Sequence, residues 1–204
     1  MEFLLIIGLA LVGLRVVAIR DARERIALLS SHLQRYRIEP RMGQLIDGYL
    51  RAAGEPDPER AQPVWQNLAE VEQALAGELA QLATDLHAVW GERLRVCRWP
   101  VAVPHATRFF PHAGFDFRAL AQIHAQGFAT VLRNDEALDP RDRAFRATAE
   151  LLLFQHSCHW YCRSRWVADA RLLAAHKTPH NQVLASVAPA TRTAYLALVN
   201  GRNS

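Results

Sequence analysis

Residues Phe3 to Ile19 form an almost unbroken apolar run, FLLIIGLALVGLRVVAI, and Arg20, Arg23 and Arg25 follow at once. Such a run with a basic flank reads as a single transmembrane helix, its arginine side held in the cytosol because positive charge just past a span resists translocation. Its 17 residues make a helix of about 25 Å, short of a hydrocarbon core of about 30 Å. Arg15 is the one charge inside the run. Near the C-terminal end it can snorkel toward the headgroups, below the cost of about 2.5 to 3.5 kcal/mol for a central arginine. A cleaved secretory signal would need positive charge ahead of the apolar core, and only Glu2 stands there. A buried core helix is the other alternative. The leading expectation is therefore an anchor over residues 1–20 in the inner (cytoplasmic) membrane, with the N-terminus out and the C-terminal domain in the cytoplasm. Gly8 and Gly13 are five apart, so the four-residue spacing of close-packed membrane dimers is missing.

The rest of the 204-residue chain suffices for one domain with a real core. Of its 24 basic side chains against 20 acidic, only Lys177 is a lysine. The positive excess is concentrated in Arg15 to Arg41, which holds seven arginines against Asp21, Glu24 and Glu39. Arg15, Arg20, Arg23 and Arg25 thus make a membrane-proximal basic collar that either attracts anionic headgroups or only fixes topology. No basic stripe is interleaved with aromatics, which argues against nucleic acid as a partner. Three cysteines, Cys97, Cys158 and Cys162, are too few for a disulfide framework and agree with a reducing compartment.

Periodicity points to an all-α chain. The stripe Ile26, Leu29, Leu33, Tyr36 carries the first helix past the anchor until Pro40 breaks it. A short helix over 41–53 follows, with Leu45, Ile46, Tyr49 and Leu50 on one face and Gly54 to stop it. These juxtamembrane helices occupy 21–54, and three prolines make 55–63 the expected linker. A bundle domain then fills 64–200. Its clearest helix carries Val64, Leu68, Val71, Leu75, Leu79, Leu82, Leu86 and Val89 at steps of three or four, opposite an acidic face of Glu70, Glu72, Glu78, Asp85 and Glu92. This stripe suits packing within one chain more than a coiled-coil seam, with a homo-oligomer as the lesser option. Asp116 caps a helix reaching about Arg133, and Asp139-Pro140 opens a second long helix without internal Pro or Gly to about His176. Two short helices, 181–187 and 190–200, close the bundle. No strand pair is expected.

Between the long helices lies an aromatic, proline-containing loop. Trp99, Phe109, Phe110 and Phe115 there either bury against the bundle or form a partner surface, since long ordered loops often carry function. The densest group of chemically able side chains is Gln155-His156-Ser157-Cys158-His159-Trp160-Tyr161-Cys162. On one helix Cys158, His159 and Cys162 crowd adjacent faces, and thiolate with imidazole suits zinc or haem iron. The spacing fits no established zinc signature, nor the Cys-x-x-Cys-His of covalent haem attachment, and a fourth ligand would have to come from Cys97, His105, His112 or His124. Ordinary core cysteines are the competing reading. No phosphate loop, nucleophile elbow or carboxylate pair stands out, so no catalytic residue or cofactor is assigned. The expected function is a membrane-anchored, cytosol-facing helical scaffold or adaptor that binds protein partners, with a membrane-tethered metal or haem protein as the alternative.

Overall fold

The computed structural model describes residues 2–201. The protein is predominantly helical, in the order α1 (Glu2–Leu33), α2 (Ile38–Gly54), α3 (Pro58–His87), β1 (Arg95–Cys97), α4 (Ala106–Phe109), β2 (Gly114–Asp116), α5 (Phe117–Arg133), α6 (Pro140–Cys162), α7 (Arg165–His176), α8 (His180–Ser186) and α9 (Pro189–Asn200). The core lies between α3, α5 and α6. Leu75, Leu79, Leu82 and Leu86 of α3, Leu120 and Phe128 of α5, and Leu151 and Leu153 of α6 are almost wholly excluded from solvent. The α3 stripe is thus spent inside its own chain.

Chain punctuation follows capping chemistry. Asp57, Asp116 and Asp139 each accept backbone N–H bonds at the start of α3, α5 and α6, satisfying donors that the first helical turn leaves free. Asn134 and Gly201 close α5 and α9 in the left-handed conformation. Pro40 does not break a helix, because the chain has already turned after Leu33 and the proline sits in the first turn of α2, where its missing N–H costs nothing. Likewise α3 begins at Pro58 and runs through Pro63, so only Glu55 to Asp57 lies between α2 and α3.

Two elements depart from expectation. The aromatic loop is pinned by a short antiparallel ribbon in which Arg95 faces Asp116, Val96 faces Phe115 and Cys97 faces Gly114. Three-residue strands give too little alternation to be seen in sequence. The long helix expected from Pro140 to His176 is broken at Arg163 and Ser164. Ser164 caps α7 through the Val167 N–H, although neither Pro nor Gly marks the place.

Only part of α1 joins the bundle. Ala22, Leu29 and His32 are buried, whereas Phe3, Leu5, Ile6, Leu9, Leu11, Val12 and Leu14 are each more than half exposed. Among the described residues no helix is long and apolar enough to cross a membrane, so the expected transmembrane span is not supported: the run falls short of the hydrocarbon thickness and contains Arg15.

Candidate functional site

Three residues of the acidic face of α3 are docked on neighbouring elements, while Glu70, and Glu92 beyond the helix end, stay exposed. Glu78 takes Arg41 and the backbone N–H of Arg37, Asp85 takes Arg35 and the Tyr36 hydroxyl, and buried Glu72 takes Tyr49 and Arg143. Arg25 likewise leaves the basic collar. Half-buried, it pairs with Asp21 at 3.1 Å and donates to the Arg95 and Tyr161 carbonyls while lying over the Tyr161 ring. Arg15, Arg20 and Arg23 remain exposed.

The four aromatics expected on a partner surface do not act together. Phe115 is buried against Trp160, and Trp99 is half-buried with its ring 5.5 Å from that of Phe110. Phe109 and Phe110 are exposed, as are Trp90 and Trp166. Of these, Trp90 lies beside α1 where that helix meets the bundle. A cavity of about 430 Å³ there is lined by Asp21 and Arg25 of α1 together with Trp90, Arg93, His105 and Arg108. The Trp166 N–H bonds the Pro100 carbonyl of the same loop.

Cys158, His159 and Cys162 form no common site. The His159 ring faces Arg171, with 3.1 Å between Nδ1 and the guanidinium. Burial pushes the Cys162 thiol up to about 11 and the Cys158 thiol well above its usual range, so both stay protonated and poorly nucleophilic. The candidate fourth ligands are scattered: Cys97 is half-buried at the end of β1, His105 and His112 are exposed in the loop, and His124 is buried on α5.

The helix break at Arg163–Ser164 brings other residues together. His156 on α6, Asp169 on α7 and His180 at the start of α8 each place one nitrogen or oxygen within 4.8 Å of the other two. His156 Nε2 lies 2.7 Å from Asp169 Oδ1, and the two imidazoles stack with centroids 4.3 Å apart. His180 Nε2 reaches the Tyr195 hydroxyl at 3.2 Å. Arg165 Nε stands 4.0 Å from the other Asp169 oxygen. Burial depresses His156 to about 4 despite the carboxylate beside it, which keeps the ring neutral with a lone pair to offer. Its side chain is wholly buried and its Nδ1 has no partner. Asp169 and His180 open onto a groove of about 480 Å³ shared with Arg165 and Trp166.

Beneath this cluster the interior stays polar. His124 bonds the Ser157 hydroxyl at 2.9 Å, and Glu150 Oε1 accepts the Ala188 N–H. Gly127 makes room for this, because a Cβ there would lie 2.3 Å from Thr191 Oγ1 and 2.7 Å from Glu150 Oε2. Periodicity did not single out His156, Asp169 or His180, since they sit on three helices and meet only through the two turns between them. The signal available was Ser164 as a cap. No protein family, curated protein or solved structure matches the chain.

Proposed function

We propose that this protein is a membrane-held helical scaffold, seated by the apolar half of α1 with its aromatic end against the bilayer. The observation that carries the reading is the exposure of Phe3 and of one residue after another from Leu5 to Leu14 on every face of a helix. A helix apolar all round is stable only when something apolar surrounds it. Lipid suits the pattern: Arg15 and Arg20 follow at headgroup depth, short spans are accommodated by snorkelling and local thinning, and Trp90, Trp166, Phe109 and Phe110 resemble the aromatic residues that favour membrane–water interfaces. The arginines after the run support a bundle on the cytoplasmic side.

The bundle's opposite end offers a place for a protein partner. Exposed Leu50 and Phe145 flank an apolar groove of about 310 Å³ between α2 and α6. Phe145 precedes Tyr161 by four to five turns of α6, about 24 Å, so the groove faces away from the bilayer in this arrangement. A partner's amphipathic helix would suit it.

Leu9→Asp with Val12→Asp touches nothing in the bundle, and it moves the protein from the membrane fraction to the soluble one with helicity unchanged. Retention in membranes after carbonate washing overturns the anchor. Protease added to the cytoplasmic side should digest the bundle; protection there, with cleavage from the other face, overturns the orientation.

A further inference from the structure

We propose that His156, Asp169 and His180 bind one divalent metal ion of the zinc class, leaving a coordination position open to the groove beside Arg165 and Trp166. This rests on the α6–α8 geometry alone and does not depend on membrane attachment.

Two imidazoles and one carboxylate are the donor set of open, three-ligand metal sites, whose remaining position takes water or substrate. Here they come from three helices and converge within 4.8 Å. Ligands around zinc, with bonds of about 2.0 to 2.2 Å, sit a little over 3 Å apart, so His156 and Asp169, now 2.7 Å apart, must part slightly while His180 moves in. His156 is the fixed member, its side chain fully buried and its Nε2 already turned to Asp169. His180 is the adjustable one. It is partly exposed at the first residue of α8, and it must rotate out of the ring stack so that its lone pair, like that of His156, points at the ion.

The Nδ1 of His156 has no partner, so a metal on Nε2 requires the single ring proton, now shared with Asp169, to sit on Nδ1. A metal would replace one hydrogen bond with a much stronger interaction at Nε2. The Tyr195 hydroxyl, 3.2 Å from His180 Nε2, orients that ring as outer-shell groups do. Access is through the groove, and Arg165 at its edge would favour an anionic ligand on the open position.

The test uses full-length protein in detergent, stripped with chelator and titrated separately with Zn²⁺ and Co²⁺. One equivalent should bind at micromolar concentration or below, Co²⁺ should give the intense visible bands of a four-coordinate site, and Zn²⁺ should raise the melting temperature. His180→Ala and Asp169→Asn, both at partly exposed positions, should each weaken binding at least tenfold and abolish the Co²⁺ bands. Cys158→Ser with Cys162→Ser should change neither. Absence of stoichiometric binding, or binding unaltered in a folded His180→Ala or Asp169→Asn variant, overturns the assignment. Loss of binding only in the cysteine variant overturns it in favour of the thiols.

Discussion

Arg143 of α6 grips Glu72 of α3 through two parallel hydrogen bonds, 2.9 Å to Oε2 and 3.0 Å to Oε1, while Tyr49 of α2 donates to Oε1 at 2.6 Å. One buried carboxylate therefore ties three helices. Removing one partner leaves a charge stranded in low dielectric, whereas replacing both with apolar groups of similar volume does not. Arg143→Met should cost about 3 to 5 kcal/mol, and adding Glu72→Leu should recover part of that. Denaturant unfolding of the single and double variants checks it.

Glu150 should make stability fall as pH rises through neutrality. Burial raises its pKa to about 7, against an ordinary value of 4.5. The folded state then holds its proton more tightly than the unfolded state, so stability is lost from the unfolded value upward and levels off above the folded one. The loss is about 3 kcal/mol, at about 1.4 per unit. Glu150→Gln, which keeps the acceptor for the Ala188 N–H, should lose that slope and be the more stable protein at pH 8. Comparing chemical unfolding of the two at pH 5 and pH 8 tests the sign.

His124 should act on the acid side. Buried and neutral, its pKa is lowered to about 3 by desolvation, with the neighbouring His156 contributing. A depressed histidine leaves stability intact above the unfolded value near 6.5 and loses it as pH falls toward the folded value. Replacing His124 with Gln should flatten the acid limb of a melting-temperature profile between pH 6.5 and pH 4.

Two glycine-to-alanine changes should have opposite effects. At exposed Gly77 of α3 a Cβ meets nothing within 4 Å, and Gly77→Ala should stabilise by about 0.5 to 1 kcal/mol through helix propensity. At Gly127 the same change drives a methyl group into Thr191 and Glu150 and should cost about 1 to 3 kcal/mol. Thermal melts of both variants check the contrast.

Cys158 and Cys162 should resist alkylation in the folded protein at pH 7.5, because desolvation raises both thiols and the thiolate is the reactive form. Mass mapping should show them modified only after denaturation. Prompt labelling of either in the folded protein would contradict the burial described for this helix.

Much of the local structure was legible in the residues themselves. Apolar steps of three and four fixed the helical class and the buried stripe of α3, and Asp116 and Asp139 marked helix starts, because capping and periodicity are short-range properties of the chain. The apolar run at the N-terminus was equally plain. What surrounds it was not, since its length and its charge lie at the margin of what a membrane accepts.

What the sequence could not supply were the meetings between helices. It marked Cys158, His159 and Cys162 as a group because they are neighbours along one helix, yet the helix turns His159 toward Arg171 while both cysteines pack against the core. His156, Asp169 and His180 are separated by 13 and 11 positions, and they converge because Ser164 breaks the chain between α6 and α7 and Lys177 to Pro179 fold it back. Arg35, Arg41 and Arg143, from the turn after α1 and from α2 and α6, likewise reach the acidic residues of α3 only through the packing of those elements. A sequence carries spacing along the chain, but the distance between side chains on separate helices is set by how turns and packing orient those helices, and that was decided only in the tertiary structure.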